Sequence, residues 1–579
     1  MSAPDSLNIE LRLDLFPNTV LNAPGASLAP ATSSRQSKDP GALFTNGRIL
    51  TTTAAGLGDE PTFAEAMFIQ DGVVSAIGTS ADLAAKYASA PGVTTNDLRQ
   101  QTVLPGFVDG HIHLLILGQS LKRVSLRHCK NLSDIRSAIK SFAAANPAVP
   151  RVMAKEWTHS MTPDGVTAAD LDDLDPRPIY VDTKDLHSTW CNYKGLEELD
   201  VLNMTEDPSG GKIQRDENGR PNGVLSEGAV LSIVWPRLAQ LSSIGERRDY
   251  MLAAIENYST LGYTGFVDMA MDEPAWEALV SLHALRPDLP IRIAAYWLIK
   301  PAGDAESRLK QVRRAKELQT QFNSSTSPDL RVVGIKIVCD GIVDACTAFL
   351  SEPYAHIDSP PPIWAPKDLA PVVEAADDAG MQIALHAIGD ASIKMAVDAL
   401  ERYGTPGRRH RIEHIELASP EDAKRLGKLG LTASIQPVHS DPAILRAWPR
   451  LIGKERCGRA FPYREMADGG ALMALGTDSP TAPWDPLGNV YVATTRRSAR
   501  EPESDEIVNE HFKLGVCEAI VAGTRGAAAS VFADERTGSL EVGKMADFAV
   551  VDMEWDAEKL LKADMRATYF AGKKVWESC

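Results

Sequence analysis

Two histidines one residue apart, His111 and His113, close the segment "LPGFVDGHIHL", with Asp109 just upstream. Alternate residues of a strand share a face, so both imidazoles can aim at one point. Neutral imidazoles converging on a point are what a divalent transition metal takes as ligands. The rest of the chain supplies candidates to complete such a site. They are Lys336 and Asp340 in "VVGIKIVCD", His386 in "ALHAIGD", His414 in "RIEHIEL", Gln436 and His439 in "SIQPVH", and Asp478 in "LGTDSP". Each follows or ends a short apolar run. Burying an unpaired polar group is costly, so one shared metal centre accounts together for residues that are hard to explain singly.

Something must bring these segments to one place. Eight apolar, β-branched runs are legible, at 102–109, 264–270, 291–299, 331–338, 382–387, 410–416, 432–437 and 472–478. Helix-like stretches such as "ESRLKQVRRAKELQTQF" and "DLAPVVEAADDAG" lie between them. This alternation is that of a parallel sheet with helical crossovers. Eight strand–helix units predict an α/β fold, a (β/α)8 TIM barrel, with its active site at the C-terminal strand ends. The interval after the first run far exceeds a normal crossover. Residues 115–245 are therefore expected to hold the first helix plus an insertion over the barrel mouth. Within it "GGKIQRDENGRPNG" favours tight hairpins. The flanks "ALFTNGRILTTT", "AEAMFIQDGVVSAIG", "GSLEVGKMADFAVVDM" and "MRATYFAGKKVWES" read as short strands with Asn-Gly and Asp-Gly turns. They predict one small sheet domain built from both termini, 41–101 and 535–579, beside a barrel over 102–534. Residues 1–40 read as a flexible lead-in.

A chain of 579 residues with 44% hydrophobic and 24% charged residues is ordinary for a soluble globular protein. The net charge of −17 argues against nucleic acid or an anionic membrane surface as partner. Seven cysteines, none spaced as CxxC, fit a reducing compartment. No apolar run reaches the ~18 to 20 residues that span a bilayer, and the first forty residues hold no signal-peptide core. The cytoplasm is the expected location. A small molecule is the expected partner, and a homodimer is the commonest form should the chain self-associate.

The succession of "LPGFVDGHIHL", "KDLHSTWCN", "DPSGGKIQRDENGRPNGVL", "ALHAIGD", "RIEHIEL", "LGTDSPTAPWDPL" and "GSLEVGKMADFAVVD" resembles the amidohydrolase superfamily. Within it the chain is similar to the amidohydrolase-3 branch of YtcJ-like metal-dependent hydrolases, from about residue 42 to 577. The resemblance implies a β-sandwich attached to a metallo-barrel. It implies that His111 and His113 bind the more buried metal, and that His386 and His414 bind a second. Lys336 would bridge the two if carbamylated; paired instead with Asp340, it would be structural. Asp478 would contact a metal and act as general base towards the attacking water. Zinc suits this donor set, one or two ions per chain. The match of "KDLHSTW" implies that His187 and Trp190 reach the substrate. Trp157, Trp484, Asp340 and His439 are further candidates for substrate contact. One departure stands out: relatives commonly read like "DGSLGSRTA" where this chain reads "DGIVDACTA", placing Cys346 where they carry arginine. A substrate less anionic at that point is expected, with Cys346 a packing residue.

The leading expectation is hydrolysis of a C–N bond, amide or N-acyl, by metal-activated hydroxide. Non-hydrolytic chemistry on the same barrel, a lyase, decarboxylase or isomerase, is the alternative. A binding protein that lost its chemistry would also have lost ligands, yet all six candidate positions hold competent residues.

Overall fold

The computed structural model describes residues 39–183, 188–208, 211–227, 229–301 and 304–578. The lead-in expected over 1–40 lies almost wholly outside these residues, and so does His187. Eight parallel strands form the barrel: β1 Phe107–Ile112, β2 Tyr263–Met271, β3 Arg292–Leu298, β4 Leu330–Val338, β5 Gln382–Ala387, β6 Arg411–His414, β7 Thr432–Ile435 and β8 Leu472–Leu475. Each pairs in parallel with the next. The expected helices fill the gaps. Ala305–Gln321, for example, buries Val312, Ala315 and Leu318 at the three-residue spacing of one helix face.

The barrel closes between β8 and β1, and this seam positions the chemistry. Asp478 N–H donates to His111 O at 2.7 Å, His113 N–H donates to Ser479 O at 3.0 Å, and Ile112 bridges Ser479 in parallel. The backbones approach so closely at Gly110 that a Cβ there would stand 2.6 Å from Leu475 O. Only glycine fits such an approach. The segments "GHIH" and "TDSP", over 360 residues apart in the chain, therefore lie side by side.

The first run differs from its expected form. Residues 102–109 are two strands, not one. Thr102–Pro105 pairs with Phe548–Asp552 in the terminal sheet, and only Phe107 onward enters the barrel. Gly106 is the joint, packed on the Thr264 side chain where a Cβ would collide. The terminal strands form two facing sheets, one ordered 73–78, 66–70, 42–45, 94–97, the other 573–577, 564–570, 548–552, 102–105, 48–50, 63–64. Phe44 of the first sheet meets Phe548 of the second edge-on, with centroids 5.3 Å apart. Asp71-Gly72 joins a hairpin, Ala66–Gln70 with Val73–Gly78. Asn46-Gly47 does not: it carries the chain from one sheet to the other.

The insertion leaves the barrel after the helix Leu114–Leu121 and returns through Ile244–Thr260, whose start carries a Ser243/Glu246 capping box. Between them lies a six-stranded mixed sheet with its own buried clusters. Its hairpin, Gly211–Arg215 with Pro221–Glu227, matches the turn chemistry of "DENG".

Candidate metal centre

At the C-terminal end of the barrel the predicted ligands converge on the seam. Asp478 Oδ1 lies 3.0 Å from His113 Nε2 and 3.4 Å from His111 Nε2. The His414 ring is 5.0 Å from that of His111 and 4.3 Å from that of His386. One ligand atom of each of His111, His414 and Asp478 lies within 4.8 Å of the others. Lys336 is buried at the end of β4. His414 (φ 74°), Ile415 (φ 55°) and Asp478 (φ 55°) all adopt left-handed backbone conformations. Such positions cost about 1–3 kcal/mol each and persist where the surroundings impose them.

The donor set fits a cation. Lys336 Nζ and His414 Nδ1 are buried with no hydrogen-bond partner, and Asp478 Oδ1, also buried, faces the two imidazole nitrogens without a well-formed hydrogen bond. Native structures rarely leave such atoms orphaned, unless an ion or water completes them. The protonation states agree. Burial, then the Lys336 charge, pushes His111 down to about 4 and His386 to about 3, and burial holds His414 well below its ordinary value. All three imidazoles are therefore neutral near pH 7, as ligands must be. Burial pushes the Asp478 carboxyl up, but the facing His111, His113 and His414 outweigh it and keep it ionised.

A buried network fixes this geometry. His111 Nδ1 faces Glu413 Oε2 at 2.7 Å, leaving Nε2 for the metal side. Arg411, wholly buried, holds Glu413 through Nε at 2.8 Å, and also donates to Gly110 O, Ser434 Oγ and Ser530 Oγ. A carboxylate behind a ligating histidine orients the ring and raises its basicity. Asp109, the carboxylate beside "GHIH", is a clamp across the seam. It accepts from His111 N, Thr477 N, Thr477 Oγ1 and Tyr258 Oη at 2.6–3.1 Å. Glu413, Arg411, Tyr258 and Thr477 were not singled out from the sequence. A signal existed: Arg411 and Glu413 are two residues apart in a core strand, so they share a face and can pair.

The chain matches the family described as "Amidohydrolase family" over residues 94–576. It belongs to the amidohydrolase family. The family's protein LONG AFTER FAR-RED 3 from Arabidopsis thaliana is 29% identical over 92% of this chain and 91% of its own. The putative amidohydrolase YtcJ of Bacillus subtilis is 28% identical over 89% of this chain and 96% of its own. A solved metal-dependent hydrolase from Pyrococcus horikoshii superposes with a TM-score of 0.74 at 25% identity, covering 89% of this chain and 98% of that one. This amidohydrolase is accordingly a metal-dependent hydrolase.

The substrate-contact candidates divide. His439 stands at the mouth, its Nδ1 3.4 Å from Glu416 Oε1 and its Nε2 3.7 Å from Asp478 Oδ2, with its ring stacked on His414. Asp340 is committed elsewhere: its carboxylate accepts the N–H groups of Phe349, Ile388 and Gly389, tying the loops after β4 and β5 together. Trp157 and Trp190 are corrections to the expectation. They are almost wholly buried, 5.4 Å apart, and their indole nitrogens donate to Thr162 and Thr167. They form the insertion's core and offer no face to a substrate. Trp190→Ala should cost about 3–5 kcal/mol and leave the metal content unchanged. A thermal melt with elemental analysis checks both. Trp484 is half-buried and donates to Asn257 at 2.7 Å. Cys346 is half-buried against the main core, with a positive φ of 53°, in the loop after β4.

Proposed function

We propose that this amidohydrolase cleaves a C–N bond, amide or N-acyl, of a small organic substrate, with Asp478 as the proton carrier. The observation that carries the reading is the cluster of unpartnered buried atoms around Asp478, beside imidazoles held neutral. The relative named N-substituted formamide deformylase, from Arthrobacter pascens, 22% identical over 85% of this chain, supports an N-acyl substrate. His111, His113, His386, His414 and Asp478 would hold the metal, with zinc the natural choice for their donor chemistry. A divalent ion in such a site polarises a substrate carbonyl and lowers the pKa of water from about 15.7 to about 7.

The chain's own residues supply the rest. Asp478 turns Oδ1 to the histidines, while Oδ2 faces the open side towards His439. There it takes a proton from the attacking water and returns it to the departing nitrogen. Lys336 has a buried, unpartnered amine, and burial pushes its pKa down. A neutral amine can add to carbon dioxide, forming an N–C bond and releasing one proton, and the resulting carbamate would bridge two ions.

Lys336→Ala is then expected to lower the metal content from about two ions per chain to about one, read by elemental analysis. Unchanged stoichiometry would remove the carbamate. The activity test is amine release from a panel of N-formyl and N-acetyl amines by metal-loaded protein. Release from at least one, lost on chelation, supports the reading. No release from any, with carbon dioxide evolved from carboxylate substrates instead, would replace hydrolysis by a lyase reaction.

A further inference from the structure

At the opposite end of the barrel from the metal centre, the first residues of β1–β4 and the segment 528–537 border a cavity of about 250 Å³. Val108, Ile293, Ala294 and Val531 give it apolar walls. Three arginines also line it, Arg292, Arg331 and Arg536. Two of them are committed. Arg292 pairs with Asp547 and lies 3.1 Å from Asp329 Oδ1, and Arg536 donates to that same oxygen at 3.0 Å. Arg331 is different. It is only 9% exposed, yet it makes no hydrogen bond or close ion pair with any described residue. Glu535, also on the cavity wall, is exposed and does not reach it. The buried Thr264 hydroxyl on the same wall has no partner either.

Three positive groups therefore face two buried or half-buried carboxylates, Asp329 and Asp547, and one charge is left over. A guanidinium this deeply buried, with Asp329 near enough to act on it electrostatically but not paired to it, is costly to keep. Burial presses the Arg331 pKa below the usual arginine value and the Arg536 charge adds to this, while Tyr296 and Asp329 offset only part of it. An anion resting on Arg331 would relieve both costs. The planar fork of five donors matches the two oxygens of a carboxylate. The apolar side chains of Val108, Ile293, Ala294 and Val531 beside Arg331 suit a ligand that carries a hydrocarbon chain behind its carboxylate better than they suit inorganic phosphate. We infer that this floor cavity binds a small aliphatic monocarboxylate, its carboxylate on Arg331 and its chain against Val108, Ile293 and Val531. The site is separate from the metal centre, at the far end of the same strands.

The test uses metal-loaded protein, with hexanoate, hexanol and inorganic phosphate as probes. Calorimetry should show hexanoate binding with a Kd of about 1 mM, and binding of neither hexanol nor phosphate at that concentration. Crystals soaked in 6-bromohexanoate should show the bromine anomalous signal in the floor cavity. Losing the charge-assisted contact in Arg331→Gln should weaken hexanoate binding by about ten- to a hundredfold. Arg331→Lys, which keeps the charge, should weaken it less. The empty Arg331→Gln protein should melt no lower than the parent, because it loses an unpaired charge; an arginine with a purely structural role would melt lower. Bromine found only at the metal centre would overturn the inference. So would equal hexanoate affinity in Arg331→Gln, or phosphate binding as well as hexanoate does. Should Arg331→Gln fail to fold, the bromine position in parent crystals decides.

Discussion

Asp478→Asn is expected to lower amide or N-acyl hydrolysis by on the order of 10³- to 10⁴-fold, the upper part of the range for a positioned acid–base group. The substitution preserves shape and removes one negative charge. That charge faces His111, His113 and His414, and among the described residues it is the only carboxylate within 3.5 Å of both histidines of "GHIH", with its second oxygen turned towards His439. Glu413, the other carboxylate in contact with the His111 ring, lies behind it and is fully buried beside Arg411. Among the described residues no other carboxylate combines those contacts. The variant should keep at least part of its metal, since His111, His113, His386 and His414 remain. Single-turnover rates normalised to metal content are the measurement. Activity within tenfold of the parent at equal metal occupancy would remove Asp478 from the proton-carrying role.

Glu413→Leu is the second large effect, and it acts on stability and metal affinity together. Breaking a buried pair strands its partner, at about 3–5 kcal/mol. Here the stranded partner is Arg411, which is 0% exposed and whose carboxylate partner is Glu413. The His111 ring loses its anchor in the same step, which should cost about 10- to 100-fold in metal affinity. The double variant Arg411→Met/Glu413→Leu separates the two roles. Removing both charges leaves no unpaired buried charge, so the melting temperature should recover much of its loss. Metal affinity should not recover, because His111 still lacks its carboxylate. Recovery of both properties together would make the pair a matter of packing alone.

The alternation of apolar runs and helical stretches was enough to read the barrel. Each of the eight barrel strands overlaps one of those runs, because a strand buried on both faces is apolar over most of its length. Strand ends were less legible. The first run looked continuous from 102 to 109, since both halves are equally apolar; what divides it is the partner each half finds, Phe548–Asp552 for one and β2 for the other. Asn46-Gly47 carries a hairpin signature and makes none, for the same reason. Turn chemistry sets the local bend, while pairing is settled by the sheet the next strand can enter.

By itself the sequence determined the candidate ligand types and the strands that bear them. Four histidines, a lysine and an aspartate at strand ends are a local property, since each follows from residue type and period within one segment. Only the tertiary structure decided how those residues are supported. That β8 closes on β1 through Gly110, so that Asp478 meets His111 and His113, is a fact of barrel closure. That Glu413 orients His111 depends on β6 facing β1 across the barrel interior. The tryptophans of the insertion show the limit from the other side: their motif position suggested the substrate, yet a six-stranded sheet formed around them and made them its core. Contacts between segments hundreds of residues apart depend on the closure of the whole sheet, and no window of sequence contains that information.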